Sequence, residues 1–224
     1  MGRRIVSTSL RDQIVQAIQD AIITNELAAG QDIQVDRLAS RYGVSATPVR
    51  EALAVLEGAG LVKIVPNKGA QVTEIHPDDV SNVWEMRRLL EPYAAEIAAI
   101  HCTEEEVQRI EKALLEVRAA PDRFDAYVAS DVWLHDLLVK HVDNRLFHET
   151  MERVWKFTAR IRYFAERSVS AKRDVVLEVT EEHLAIVRAL ASRNAHVASH
   201  LVLHHLVGGE SRTMEAVKRK INLI

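Results

Sequence analysis

The chain has 224 residues, 48% of them hydrophobic, with a formal net charge of −3 and one cysteine. This length allows two domains that each bury a core. No segment is apolar for long enough to span a membrane, and residues 1–9 lack the apolar run of a signal peptide, so we expect an unexported, cytoplasmic protein. The lone Cys102 excludes an intrachain disulfide and is consistent with a reducing compartment.

The first 76 residues combine three helices with a hairpin. Apolar residues at helical spacing, including Leu10, Ile14 and Ile18, predict a helix over residues 10–24. Two further helices are predicted over 35–42 and 46–57. Two β-prone runs, residues 61–65 and 70–74, then flank the turn sequence Pro-Asn-Lys-Gly, which is typical of a hairpin. This order predicts a winged helix.

The joint between the second and third helices has the features of a helix-turn-helix. Gly43 stands where the preceding helix must end with a residue of positive φ. Ser45 is expected to cap the next helix, and Pro48 falls in its first turn, where no backbone donor is needed. The alternative, a helical hairpin within a larger fold, is disfavoured by the cap, the proline and the hairpin that follows.

The third helix has one apolar face, formed by Val49, Ala52, Leu53 and Leu56. This arrangement leaves Thr47 and Arg50 on the opposite, solvent-facing side, from which they can reach DNA.

Charge gives little support for DNA binding. Residues 1–76 hold eight basic and eight acidic side chains, so the rest of the chain carries the whole negative balance. A domain without net charge has only a weak electrostatic attraction to DNA, and that attraction does not depend on base sequence. Binding would therefore depend on a few well-placed contacts and on dimerisation.

The second part, residues 77–224, shows helical periodicity along nearly its whole length. Its periodic segments predict an all-α bundle of six helices, over residues 78–101, 103–119, 122–142, 145–168, 172–192 and 195–220. The predicted fold is therefore mainly α, with a winged helix-turn-helix domain at 1–76 and a helical bundle at 77–224.

Four residues of the bundle stand out from its apolar faces. Asp131 and His135 are four positions apart, so their side chains leave one helix on the same side. His183 and His205 lie within apolar stripes of two later helices. Three imidazoles and a carboxylate would suit zinc, nickel, manganese or iron and leave positions open for a ligand.

Other readings of the histidines remain open. With ten histidines in the chain, pairs at i, i+4 arise by chance. His196, His200 and His204 form a ladder on the last helix, which is more typical of a solvated face than of a second metal site. A metal bound by Asp131, His135, His183 and His205 could also serve a hydrolase, or only stiffen a dimerisation domain.

The N-terminal part resembles the winged helix of the GntR family of bacterial transcription regulators. The family's Thr-Pro-Val-Arg-Glu-Ala-Leu run is matched from Thr47 to Leu53. The remainder resembles the FCD ligand-binding domain of the FadR branch. Its Asp-x-x-x-His falls on Asp131 and His135, its Glu-His on residues 182–183, and its terminal histidine on His205 rather than His204.

This resemblance implies a homodimer whose winged helices read a pseudopalindromic double-stranded DNA operator. Ser45, Thr47 and Arg50 would contact the major groove, with Asn67 and Lys68 at the wing tip near phosphates or the minor groove. Members commonly carry arginine after the cap serine, where this chain has Ala46, so the operator would differ from the family's usual core.

In the bundle, the resemblance implies a divalent metal, with zinc the first candidate, and a small carboxylate effector. Arg87 matches an inward arginine of the first bundle helix, and Arg160 or Arg162 could serve similarly, because a guanidinium clamps a carboxylate with two bonds. The alternative for Arg87 is a surface ion pair with Glu91. We expect an effector-responsive regulator, a repressor and not an enzyme. The rivals are a metal hydrolase and a domain with a purely structural metal.

Overall fold

A computed structural model of the protein describes residues 9–66, 68–166 and 173–222. The chain forms two compact units. The first comprises residues 1–76 together with 159–164, and the second comprises 77–158 and 165–224.

The first unit is a three-helix domain with a small antiparallel sheet. Its elements are α1 (Leu10–Ile23), β1 (Asp32–Ile33), α2 (Val35–Tyr42), α3 (Ala46–Gly58), β2 (Val62–Val65) and β3 (Gly69–Val72). The sheet order is β1-β3-β2, so β3 is central. The predicted helices and hairpin are confirmed, which makes this unit a winged helix.

Two details of the first unit differ from the sequence prediction. Leu10 belongs by its spacing to the apolar stripe of α1 but is 54% exposed, because it is the first helical residue and lies at the end of that stripe. Strand β1 was not predicted: it has two residues, and Ile33 pairs with Ala70 of β3. A strand this short carries no readable alternation.

The second unit is all-helical over its described residues. Its helices are α4 (Pro77–His101), α5 (Glu104–Ala119), α6 (Phe124–Lys140), α7 (Arg145–Glu166), α8 (Arg173–Ala191) and α9 (Ala195–Ile221), except that residues 159–164 of α7 belong to the first unit. The six predicted helices are confirmed. The predicted ends at residues 168 and 172 lie outside the described residues, and the other ends lie within two residues of the prediction. Thr103 caps α5 through a reciprocal pair of bonds with Glu106.

The packing of these helices surrounds a continuous apolar core. Helix α4 packs along α9, α8 lies against α5 and α9, and α6 lies against α4 and α5. Leu134, Leu138, Leu184 and Leu206 are fully buried in this core. They lie beside the polar residues of α6, α8 and α9 in sequence, so the same packing that buries the leucines also fixes the rotation of the polar positions. Across the described ranges, no helix is long and apolar enough to cross a bilayer.

The wing of the first unit depends on Gly69, where the backbone has a φ of +101°. A Cβ at this position would lie 2.3 Å from the carbonyl oxygen of Ile33. Gly69→Ala is therefore expected to lower the free energy of unfolding by at least about 1–3 kcal/mol, measured by urea denaturation of the full chain.

Gly58 is the matched control, because it is helical and a Cβ added to it meets no described atom within 4 Å. Gly58→Ala should change stability by no more than about 1 kcal/mol, and in the stabilising direction. Equal losses of stability in the two variants would show that the close approach of β1 and β3 at Gly69 does not determine the stability of the wing.

Candidate functional site

The turn of the helix-turn-helix has the backbone that the sequence predicts. Helix α2 ends at Gly43, which is left-handed with φ 65° and ψ 35°. Ser45 is the N-cap residue of α3 by its extended backbone. Its hydroxyl, however, accepts no capping bond from the described part of the helix, so the expected side-chain cap is wrong. Ser45 is exposed, so its hydroxyl is accessible from solvent.

The exposed face of α3 carries the residues expected to contact DNA. Val49, Ala52, Leu53 and Leu56 are all buried. Ser45, Thr47 and Arg50 are exposed. At the wing, Lys68 is exposed and its backbone N–H donates to the carbonyl of Val65 at 3.0 Å. Asn67 lies outside the described residues. DNA contact by any of these residues stays a prediction.

The second unit brings together the four residues singled out in its sequence. Asp131 and His135 from α6, His183 from α8 and His205 from α9 are all buried, and one ligand atom from each lies within 4.8 Å of the others. The Nε2 atoms of His183 and His205 are 3.3 Å apart. Asp131 Oδ1 lies 3.7 Å from Nε2 of His183 and 3.8 Å from Nε2 of His135.

These distances fit a metal centre. Nitrogen and oxygen ligands bind zinc at about 2.0–2.2 Å, so two ligands of one ion stand about 3–4 Å apart. The donor set of three imidazoles and one carboxylate suits borderline transition metals such as zinc. Burial lowers the pKa of His205, which favours the neutral imidazole that a metal requires. The cluster could therefore hold a divalent ion.

Arg87 combines the two roles considered for it. Its Nε donates to Glu91 Oε1 at 2.7 Å, but this ion pair is buried rather than on the surface. Its Nη2 also lies 3.3 Å from both ring nitrogens of His135. Nη1 makes no hydrogen bond within the described ranges. Arg87 thus lies beside the cluster and retains a donor for a ligand.

Glu91 belongs to the site although the sequence indicated only a surface ion pair for it. Its Oε2 lies 2.6 Å from Nδ1 of His135. Burial alone would raise the pKa of Glu91, but the charges and hydrogen bonds of Arg87 and His135 outweigh burial and hold the pKa at about 2. The only sequence signal was its spacing four residues after Arg87.

Glu182, which the sequence singled out only through the family's Glu-His at residues 182–183, has the same relation to His205. Its Oε2 lies 2.6 Å from Nδ1 of His205. Arg212 donates to both carboxylate oxygens, at 3.1 and 3.0 Å. Burial opposes ionisation of Glu182, yet the bonds from His205 and Arg212 hold its pKa at about 2. Arg212 is 30 residues away in sequence, so no local pattern could indicate this pair.

The remaining predicted positions fall elsewhere. His196, His200 and His204 are exposed, which agrees with a solvated ladder on α9. Arg160 is buried, and its guanidinium donates to the carbonyl of Thr73. Arg162 is half-buried. An effector role for these two arginines stays a prediction, whereas Arg87 has a direct contact with the cluster.

Comparison with known proteins now identifies the family. The FCD domain family matches residues 82–208, more than half of the chain, and the bacterial gntR regulatory family matches residues 10–72. This chain belongs to the GntR family, in the branch with an FCD domain. It is a DNA-binding transcription regulator.

Relatives of this GntR regulator are transcription regulators, not enzymes. The transcriptional repressor RspR of Escherichia coli K12 is 29% identical, covering 88% of this chain and 86% of its own. The regulator LutR of Bacillus subtilis 168 is also 29% identical, covering 84% and 94%.

Solved structures show the same fold. Escherichia coli McbR/YncC has a TM-score of 0.76 at 17% identity and covers 93% of this chain and 99% of its own. The metal-free FCD domain of TM0439 has a TM-score of 0.55 at 20% identity, covering 65% and 98%.

Proposed function

We propose that this protein is an effector-responsive transcriptional repressor, acting in the cytoplasm as a homodimer, whose FCD domain senses a small carboxylate at a divalent metal. The observation that carries the proposal is the buried cluster of Asp131, His135, His183 and His205 on the same chain as a winged helix. Zinc is the first candidate metal, with nickel, manganese and iron as alternatives. Several relatives, including RspR, are named repressors.

The winged helix, residues 1–76, would read the operator. Arg50 has a planar guanidinium suited to two bonds with guanine, and Thr47 and Ser45 lie beside it near the start of α3. Lys68 at the wing would contact phosphate, with Asn67 next to it in the chain. A homodimer would demand half-sites related by the symmetry of the protein, hence a pseudopalindrome.

The FCD domain, residues 77–224, would bind the effector. A divalent ion held by Asp131, His135, His183 and His205 would offer open coordination positions to a carboxylate. The guanidinium of Arg87 lies beside them, with Nη2 3.3 Å from both ring nitrogens of His135, and a guanidinium pairs well with a carboxylate oxygen. Such a ligand can change DNA affinity only by its differential affinity for two packings of the protein, typically about 1–3 kcal/mol of coupling.

A hydrolase would need a general base beside the metal. The two acids that contact the ligand histidines, Glu91 and Glu182, each have a pKa of about 2 and are already bonded to an arginine. A carboxylate with so low a pKa is a weak base at neutral pH. These contacts favour sensing over turnover.

The DNA prediction contrasts a base contact with a phosphate contact. Arg50→Ala should cost about 1–3 kcal/mol of operator affinity and relax sequence preference, because a bidentate contact to one base is lost. Lys68→Ala should weaken operator and random DNA alike and flatten the salt dependence. Fluorescence anisotropy at several salt concentrations, with an operator selected from random DNA, measures both. Equal losses on operator and random DNA for Arg50→Ala would contradict its role.

The metal prediction contrasts adjacent histidines of α9. His205→Ala should lower bound metal and the melting temperature, because it removes a buried ligand; the exposed His204→Ala is the matched control and should change neither. Metal content by mass spectrometry and thermal melts of the full chain test this. Equal metal loss from both variants would indicate that the site lies on the other face of α9.

The sensing prediction joins the two activities. We expect one of a panel of sugar acids, hydroxy acids, dicarboxylates and amino acids to raise the melting temperature of the metal-loaded protein and release the operator. His183→Ala, verified as metal-free, should keep DNA binding but lose release. Release at the same acid concentration by this variant would show that the metal is purely structural.

A further inference from the structure

Two glutamates lie just outside the proposed ligand set and contact it in the same way. Glu91 Oε2 is 2.6 Å from Nδ1 of His135, and Glu182 Oε2 is 2.6 Å from Nδ1 of His205. Both bonds therefore involve the same ring atom. The two pairs join different helices, α4 with α6 and α8 with α9.

This contact decides which nitrogen of each ring can bind a metal. An ionised carboxylate only accepts hydrogen bonds, so Nδ1 must carry the proton. In the neutral imidazole, the lone pair is then on Nε2. Nε2 is also the atom that faces the cluster. Nε2 of His205 lies 3.3 Å from Nε2 of His183. Nε2 of His135 lies 3.8 Å from Oδ1 of Asp131.

Each glutamate is itself held in place by an arginine. Arg87 Nε donates to Glu91 Oε1 at 2.7 Å, and Arg212 donates to both oxygens of Glu182. Each carboxylate is thus held by an arginine as well as by a histidine. An arginine alone would satisfy a buried acid electrostatically, but it would not require that both acids also meet the outward nitrogen of a cluster histidine.

We propose that Glu91 and Glu182 are positioning residues of the metal centre, which hold His135 and His205 in the tautomer and orientation that present Nε2 to the ion. This inference rests on the metal centre of the proposed function. A carboxylate that accepts a hydrogen bond from the other ring N–H of a ligand histidine commonly raises metal affinity about 10- to 100-fold.

Glu178 provides a matched control for Glu182. It lies one turn earlier on α8 and accepts a bond from the same Arg212 Nη1 at 3.0 Å. Its side chain is 62% exposed, against 18% for Glu182. Over the described residues, its only bond partner is Arg212, so Glu178→Gln disturbs the arginine without touching a histidine.

The test measures zinc affinity of the full-length protein by competition with a chromophoric chelator. Glu182→Gln should weaken zinc binding about 10- to 100-fold, while Glu178→Gln stays close to wild type. Similar affinities in both variants, whether reduced or unchanged, would overturn the positioning role. Wild type that binds no zinc would instead overturn the metal centre itself.

A second measurement needs no variant and covers the case in which Glu182→Gln fails to fold. Nitrogen-15 NMR of histidine-labelled, zinc-loaded wild type distinguishes Nδ1 from Nε2 coordination in each ring. We expect His135 and His205 to be bound through Nε2, with Nδ1 protonated and slow to exchange. Coordination of either ring through Nδ1 would overturn the proposal for its glutamate. In a folded Glu182→Gln variant, the chemical shift of the Nδ1 proton of His205 should change and that of His135 should not.

Discussion

Charge buried inside an apolar helical bundle is the constraint on which the second unit depends. An ionised side chain removed from water costs several kcal/mol unless another group pairs with it. Arg87, Glu91, Asp131 and the buried histidines meet this requirement by contacting one another. Because these groups come from α4, α6, α8 and α9, satisfying them also holds four helices at defined rotations. The same contacts that make the charges tolerable bring the ligand atoms together.

The first unit follows a different rule, because its functional surface is what the core leaves exposed. Burial of Val49 and Leu53 directs Arg50 outward from α3. Gly43 turns the chain sharply enough for α3 to pack on its predecessors while that face remains in solvent. With no net charge to attract DNA at long range, recognition would rest on a few side chains placed by this packing.

Periodicity predicted most of the fold, since a stripe of apolar residues fixes both the type of an element and its buried face. It failed where an element was too short or a residue stood at an end. β1, which completes the sheet around Ile33, has two residues, and Leu10 belongs to the stripe of α1 by spacing but lies at its open end. Ser45 shows a third limit: the sequence located the cap residue, but whether its hydroxyl bonds to the helix backbone depends on the side-chain rotamer, which the sequence does not fix.

The sequence by itself determined that Asp131 and His135 share a helix face, because side chains four residues apart in an α-helix project the same way. It also marked His183 and His205 as polar residues on apolar stripes. Only the tertiary structure decided that these residues meet, and that Glu182 joins Arg212 to His205. Contacts between residues far apart in the chain depend on how each helix is rotated and where it crosses its neighbours. Those quantities are set by the packing of the whole core, and no local pattern of residues encodes them.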